Sequence, residues 1–290
     1  MMEYLQPIIP HNTSSVKFRS PFRYPGGKSW LVPYIRTWCI SQPTRPFEFI
    51  EPFAGGGIVG LTAAFEQLAD HVTLIDLDRD VAAVWQTILG KNGKWLADYI
   101  ATFNLTHGTV RTTLSKSARS LRERAFQTIL KNRINRGGIL ASGAGRLKEG
   151  ENGKGLRSRW YPQTLRKRIL DIVSIRDRIT FVQGDGLEFL QQNAQRADAL
   201  FFVDPPYTAA RKKAGSRLYT HHELDHAKLF GLTAQLSGDF LMTYDDAEEV
   251  RELALQHNFQ IQAVTMKSTH HARMTELLIG RDLSWFWTTA

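Results

Sequence analysis

Asp204-Pro205-Pro206-Tyr207 is the stretch of this chain with the clearest chemical capacity. It follows Ala199-Leu200-Phe201-Phe202-Val203, an apolar run that reads as a buried strand. Proline has no N–H for a sheet ladder and fixes φ, so Pro205-Pro206 ends the strand and sends the chain out rigidly. One carboxylate, free backbone carbonyls and one aromatic ring are then held close together. In an open α/β sheet, ligands bind at strand ends.

A site of this kind needs elements that bring a second ligand to it. Phe47–Glu51 reads as a strand, Gly55-Gly56-Gly57 as a tight turn, and IVGLTAAFEQLA as the helix that follows. Glycine suits a turn where φ must be positive and a ligand must come near the backbone. Gly55, Gly57 and Gly60 reach the dinucleotide-binding spacing only by way of a Gly-Gly-Gly run. About twenty residues on, Val72–Asp76 is a second strand ending in an acid, where a carboxylate can accept both hydroxyls of a ribose. Ile179–Gln183 is a third strand, closed by Gly184-Asp185. Phe22-Arg23-Tyr24-Pro25-Gly26-Gly27-Lys28 opens a further helix; its Gly-Gly-Lys could meet an anion, or be a turn with a solvated lysine.

Helices are expected over 79–89, 118–134, 187–194, 223–236 and 247–257, and strands over 239–244, 261–266 and 276–279. The last two strands have no helix between them, which predicts one antiparallel strand in an otherwise parallel sheet. Residues 1–17 lack periodicity and read as a flexible arm. A catalytic domain is expected over 18–95 and 169–290, interrupted by an insert at 96–168.

The chain of 290 residues carries a net charge of +9, unevenly spread. Between Arg111 and Arg168 there are 16 lysines and arginines against Glu123, Glu149 and Glu151, which makes this segment +13 and leaves −4 for the rest. A basic segment in a slightly acidic protein is the footprint of a polyanion. Expected nucleic-acid contacts within it are Arg111, Arg119, Lys131, Arg133, Asn135 and Arg136, then Arg146, Lys148, Arg157 and Arg159; Arg211, Lys212 and Arg217 extend the set into a loop after Tyr207. Arginine, asparagine and glycine interleaved in this way suit phosphate and base-edge contacts. Trp160 and Tyr161 would anchor the end of the tract. Cys39 is the single cysteine, so an internal disulfide and a cysteine zinc cluster are excluded and a cytoplasmic setting is expected. No run approaches the ~18 apolar residues of a membrane span, and no secretory signal is apparent at the N-terminus. The pairs His221-His222 and His270-His271 lack a carboxylate pattern at ligand spacing, so no metal is expected.

In order, FRYPGGK at 22–28, FIEPFAGGG at 49–57, LID at 74–76, NRINRGG at 132–138, GD at 184–185, DPPY at 204–207 and TELLI at 275–279 resemble the Dam-like, D12 (class alpha) family of DNA adenine N6-methyltransferases. The similarity runs over nearly the whole chain. It implies a Rossmann-like fold and S-adenosylmethionine as methyl donor, leaving S-adenosylhomocysteine. It further implies that Tyr24, Gly27 and Lys28 flank the cofactor, that Glu51, Phe53, Gly55 and Gly57 contact its methionine and backbone-facing parts, that Asp76 holds its ribose and Asp185 its adenine amino group. Asp204, Pro205, Pro206 and Tyr207 would form the catalytic set. The expected partner is duplex DNA, with a cognate restriction nuclease as a candidate companion and the oligomeric state open. Cytosine N4-methylation, RNA methylation and a catalytically silent DNA-binding protein stand as alternatives.

Overall fold

The computed structural model describes residues 5–7, 16–23, 28–141, 143–147, 153–206, 224–267 and 273–289. A seven-stranded sheet forms the centre. Its strands are β2 (Glu48–Glu51), β3 (His71–Asp76), β4 (Ile179–Gln183), β5 (Ala199–Val203), β6 (Asp239–Asp245), β7 (Gln260–Lys267) and β8 (Arg273–Gly280), in the order β4-β3-β2-β5-β6-β8-β7. Neighbours from β4 through β6 are parallel, and β8 runs antiparallel to both β6 and β7. The hairpin β7–β8 has no room for a crossover helix, so β8 must reverse, as the sequence pattern predicts. β5 is apolar throughout because both faces of a parallel sheet are covered.

The chain winds outward from β2 to β3 and β4, then returns to place β5 on the other side of β2. That reversal is the topological switch point, and the crevice it leaves lies at the C-terminal ends of β2 and β5. Glu51 ends β2, Asp76 ends β3, Asp245 ends β6, and Asp185 and Asp204 lie just past β4 and β5. Glu276 on β8 is paired in register with Asp245, so it stands at the same edge.

One face of the sheet packs on α1 (Val32–Ile40), α2 (Ile58–Glu66) and α3 (Arg79–Leu89), and these share a continuous core with α4 (Gly93–Thr102), α5 (His107–Leu114), α6 (Leu121–Ile134) and α7 (Pro162–Ser174). Trp85 and Ile88 of α3 meet Leu96, Ile129 and Leu165 in that core. The basic insert therefore has no separate hydrophobic centre. Its α4, α5 and α7 were not foreseen, and α7 straddles the boundary expected at 168. The other face is covered by α8 (Gly186–Gln192), α9 (His226–Ala234) and α10 (Glu248–Gln256).

The N-terminal arm departs from expectation. Leu5–Pro7 forms β1 and pairs antiparallel with β9 (Trp287–Thr289), closing the two ends of the chain on each other. Val16 and Ser20 are buried, and the Ser20 hydroxyl donates to the carbonyl of Gly56 at 2.5 Å. Local composition does not reveal such a pairing, because its stabilisation comes from the distant strand. No helix among the described residues is long and apolar enough to cross a membrane.

Candidate active site

The glycine turn after β2 shows why its residue types are required. Gly57 sits at φ 60°, and a Cβ there would come 2.9 Å from the Trp85 ring. Gly60 lets α2 settle onto the sheet; its Cβ would lie 2.5 Å from Leu74 and 2.6 Å from Glu51 Oε2. The backbone N–H of Gly60 instead donates to that Glu51 oxygen at 2.7 Å. At the end of β3, Asp76 accepts from the N–H of Gly55 and of Asp78, each at 2.8 Å. The acid of the second strand thus holds the glycine turn of the first.

Asp185 caps α8, with Oδ1 accepting from the N–H groups of Leu187 at 2.7 Å and Glu188 at 3.2 Å. Gly186, next to it, leaves space for the Phe53 ring, which a Cβ would approach to 2.7 Å. Glu51, Phe53, Gly55, Gly57, Asp76 and Asp185 are therefore brought together near the ends of β2, β3 and β4.

Lys28 was expected at the site, but not its partners. It precedes a short 3₁₀ turn and α1, whose Leu31, Val32, Ile35 and Trp38 are drawn fully into the core and carry the lysine inward. Its side chain is 3% exposed, with Nζ 3.3 Å from Asp204 Oδ1 and 3.0 Å from Glu276 Oε2. Of the readings open for Gly-Gly-Lys, the solvated lysine is ruled out, since Lys28 lies in a buried ion cluster. The Thr243 hydroxyl donates to the same Asp204 Oδ1 at 2.7 Å. Glu276 and Thr243 were not among the expected site residues. The signal for Glu276 was an acid directly before the apolar run Leu277–Ile279 of its strand.

The electrostatics follow from burial of like charges. Burial pushes the Glu51 carboxyl up to about 8, with Asp204 and Asp76 adding to the rise and the Gly60 N–H opposing it. Burial raises Asp76 to about 6 against its two backbone donors. Glu276 is raised to about 7, again by burial first, with Lys28 pulling it down. For Lys28 burial would lower the value, but Asp204 and Glu276 outweigh it and hold the ammonium above the ordinary lysine range. An edge with this many confined carboxylates suits a ligand that brings positive charge. Tyr244, buried beside Asp204, shares a 3.0 Å hydrogen bond with His226 Nδ1 and is pushed well up by burial.

The insert divides into two classes of basic residue. Arg111, Arg119, Arg136, Arg146 and Arg157 are exposed. Lys131 is half-buried and paired with Asp80 at 3.4 Å, and Arg159 is half-buried. Arg133 is buried at 4% exposure and its guanidinium donates to the carbonyl of Pro21. Burial together with the nearby Arg168, Arg23 and Arg159 drops the Arg133 pKa to about 9. Asn135 is buried and donates to the carbonyl of Ile139 at 2.8 Å, while Arg136 N–H reaches the carbonyl of Gly145 at 2.8 Å. Asn132, fully buried, accepts from Arg23 N–H at 2.8 Å and donates to the carbonyls of Arg23 and Gly138, both at 2.7 Å. Trp160 is buried against Phe103, whereas Tyr161 is exposed. Leu121, expected on the apolar side of its helix, is exposed, unlike Ala125, Ile129 and Leu130.

Tyr24, Gly27, Lys148, Tyr207, Arg211, Lys212 and Arg217 lie outside the described residues, as do His221, His222, His270 and His271. Among the described residues no group of three or more His, Cys, Asp or Glu side chains could hold a metal ion. Cys39 is buried, and burial pushes its thiol up to about 12.

The sequence profile of the D12 class N6 adenine-specific DNA methyltransferases matches residues 24–269. The chain belongs to this family. A D12 enzyme transfers a methyl group from S-adenosylmethionine to adenine in DNA, and the acid-lined glycine cradle between β2 and β4 fits that cationic cofactor. Solved structures with a similar fold include a Pyrococcus horikoshii protein provisionally described as an RNA methyltransferase, 11% identical, covering 92% of this chain and 93% of that one with a TM-score of 0.44. Others are an S-adenosylmethionine-dependent methyltransferase of Agrobacterium tumefaciens, 11% identical over 86% of this chain and 59% of that one (TM-score 0.41), and a precorrin-6y C5,15-methyltransferase of Geobacter metallireducens, 7% identical over 85% of each (TM-score 0.38). No curated protein matches this D12 sequence significantly.

Proposed function

We propose that this D12 enzyme methylates adenine N6 at a specific sequence in duplex DNA, with the target base flipped out of the helix. The observation that carries the reading is the place of Asp204: it follows a buried strand at the switch point, beside the cofactor crevice, with one carboxylate oxygen already held by Thr243 and Lys28. An exocyclic amino group is a poor nucleophile because its lone pair is delocalised into the ring. Asp204 and the Pro205 carbonyl would each accept one amino N–H, favouring a tetrahedral nitrogen whose lone pair faces the donor. This is positioning and electrostatic catalysis. A base inside a duplex cannot reach Asp204, which calls for flipping. Tyr207 would stack on the flipped base, an interaction worth roughly 1–3 kcal/mol.

S-Adenosylmethionine supplies the electrophilic methyl group when bound. Tyr24, Gly27, Glu51, Phe53, Gly55 and Gly57 would line its methionine end, with Lys28 standing between that end and Asp204. Asp76 would accept from the ribose hydroxyls, and Asp185 from the adenine amino group through the edge not used in capping α8. The exposed Arg111, Arg119, Arg136, Arg146 and Arg157 would meet DNA phosphates or base edges, with Lys148, Arg211, Lys212 and Arg217 completing the set. Arg133 and Asn135 would act from inside, by fixing the loop that presents Arg136 and Arg146. A companion nuclease and the assembly state belong to the same reading and are open to pull-down and sedimentation.

The test is an Asp204→Ala enzyme assayed on duplex DNA and RNA, with nucleosides analysed by mass spectrometry. Loss of N6-methyladenine formation with cofactor and DNA binding retained is the expected result. Retained turnover would remove Asp204 from its role, N4-methylcytosine would move the reading to cytosine, and transfer to RNA alone would replace the substrate.

A further inference from the structure

We propose that Arg23, in a segment held by Asn132, Arg133 and Arg168 where the sheet and the insert join, binds one phosphate of the DNA backbone. The inference rests on the reading of duplex DNA as the substrate.

Three guanidiniums are gathered on the four residues Ser20–Arg23. That of Arg133, from α6, donates to the carbonyl of Pro21, and Arg168 Nη1, from α7, donates to the carbonyl of Ser20 at 3.1 Å. The backbone of Arg23 is fixed at both its N–H and its carbonyl by Asn132. A Cβ on Gly138 would collide with that same carbonyl, so the glycine tract of the insert packs directly on Arg23. Basic side chains that brace the helices nearby have acids to pair with: Arg124 and Lys131 meet Asp80, and Arg166 meets Asp98 at 2.9 Å. The cluster differs. Among the described residues no carboxylate acts on Arg23, Arg133 or Arg168, and the acceptors of the last two are neutral carbonyls. Burial, and after it the charges of Arg168, Arg23 and Arg159, drops Arg133 to about 9; burial and then Arg159 lower Arg23 as well. Arg23 Nη1 and Arg133 Nε are buried without a hydrogen-bond partner. Confined cations with unmet donors and no acid among them mark a place for an anion.

Arg23 is the member placed to meet that anion. Arg133 is 4% exposed and engaged with Pro21, and Arg168 Nη1 is engaged with Ser20. Both act by holding the segment. Arg23 is half-buried, so part of it reaches the surface, and among the described residues its guanidinium makes no hydrogen bond or ion pair. The planar guanidinium fork matches a phosphate with two parallel N–H bonds. Its place in the chain points to DNA as the source. Ser20, on one side, donates to the carbonyl of Gly56 in the glycine turn, and Lys28, on the other, has Nζ 3.3 Å from Asp204. The five residues from Arg23 to Lys28 span at most ~18 Å. The phosphate that Arg23 takes is therefore close to the base that enters the site, on the strand carrying that base or its complement.

The experiment measures Kd over a range of salt for wild type, Arg23→Gln and Arg23→Lys, on duplex DNA carrying the sequence the enzyme methylates. A second series places one neutral methylphosphonate at a time along the backbone around the target base. Arg23→Gln is expected to lower the slope of log K against log salt by about 0.9, the share of one phosphate, and Arg23→Lys to keep it. In wild type one backbone position should lose on the order of tenfold in affinity when neutralised. The same change should cost Arg23→Gln less than about twofold. A weaker Kd at unchanged slope overturns the inference, since that describes a structural residue. So does a methylphosphonate profile that Arg23→Gln leaves intact. Thermal unfolding with inorganic phosphate and no DNA separates the two sources of the anion. A midpoint raised in wild type but not in Arg23→Gln, with the DNA slope unchanged, moves the site to a free anion and overturns the assignment to DNA. If Arg23→Gln does not fold, Arg23→Lys decides: lysine lacks the fork, so the loss at that one position should shrink by about threefold or more while the other positions keep theirs. An identical profile in Arg23→Lys then overturns the proposal. Failure of the wild type to bind or methylate duplex DNA would instead defeat the substrate reading; a wild type active on duplex DNA with an unaltered slope and profile in Arg23→Gln defeats this inference alone.

Discussion

The acid-rich edge of the sheet and the basic insert solve opposite electrostatic problems. At the edge, Glu51, Glu276 and Lys28 are buried and Asp204 is half-buried, and all four are fixed by neighbours within about hydrogen-bond reach before any ligand arrives. In the insert, Arg111, Arg119, Arg136 and Arg146 are left in solvent. The first arrangement incurs a desolvation cost in advance and gains preorganisation at the reacting group. The second retains hydration, acts at longer range, and exchanges water and counterions for phosphate on binding. The two meet at the segment Ser20–Arg23. Ser20 bonds Gly56 of the glycine turn, Asn132 and Arg133 of the insert bond Arg23 and Pro21, and Arg168 reaches the Ser20 carbonyl at 3.1 Å.

The largest effect should follow from breaking the preorganised side. Asp204→Ala is expected to reduce kcat by on the order of 10²–10³ or more, while Kd for cofactor and DNA changes little. Single-turnover methylation with separate binding measurements distinguishes these. A comparable loss of DNA affinity would mean that the edge also recruits, and the contrast between the regions would fail.

Next in size is the joint between them. Asn132→Ala leaves the Arg23 N–H and two carbonyls without their buried partner, at an expected cost of about 2–4 kcal/mol. Urea unfolding should show a lower midpoint with an unchanged slope. Since one core joins insert and sheet, a single transition is expected, and two separated transitions would show that the insert unfolds on its own.

A smaller effect separates exposed from buried arginines. Arg136→Gln or Arg146→Gln should lower the slope of log K against log salt by about 0.9 for each phosphate no longer neutralised. Arg133→Met should leave that slope in place and act through stability, because its guanidinium is engaged with Pro21. A reduced slope for Arg133→Met would return that residue to the DNA surface.

These contrasts also mark what could be read in advance. The seven strands of the central sheet and most helices outside α4, α5 and α7 were legible because apolar alternation, glycine turns and proline stops are local, and helix α3 falls at Arg79–Leu89 as its periodicity indicates. Glu51, Asp76, Asp185 and Asp204 were legible because each lies at or just past the end of a strand. Lys28 was recognised as a site residue but not as the partner of Asp204, since that ion pair joins residues 176 positions apart in the chain. Glu276 and Thr243 enter through the reversed strand and its neighbour, a juxtaposition that only the sheet order creates. The basic count of the insert describes a field, and a count could not tell Arg133 from Arg136. Burial divides them, and burial is set by the Asn132 network and the β1-side segment packed against it. Pairing of Leu5–Pro7 with Trp287–Thr289 was invisible for the same reason.

The smallest expected effect concerns pH and sharpens the contrast without any substrate. Glu51, Asp76 and Glu276 hold their carboxyls at about 8, 6 and 7, above the ordinary 4.5, 3.8 and 4.5. A group whose folded value is raised binds its proton more tightly when folded, so its stabilising share is present below the unfolded value and is lost as pH rises through the folded one. The cofactor-free enzyme should therefore lose stability between about pH 4 and 8. Lys28, also raised, contributes no slope in that window, because it remains protonated in both states. Glu51→Gln removes one titrating group. Its stability in urea, measured relative to wild type, should be greater at pH 8 than at pH 5, by a margin on the order of 1 kcal/mol after relaxation and water penetration. Arg136→Gln, in the exposed region, should leave the pH slope as it is. Equal slopes in wild type and Glu51→Gln would mean that Glu51 is not confined in the way its place behind Gly60 indicates.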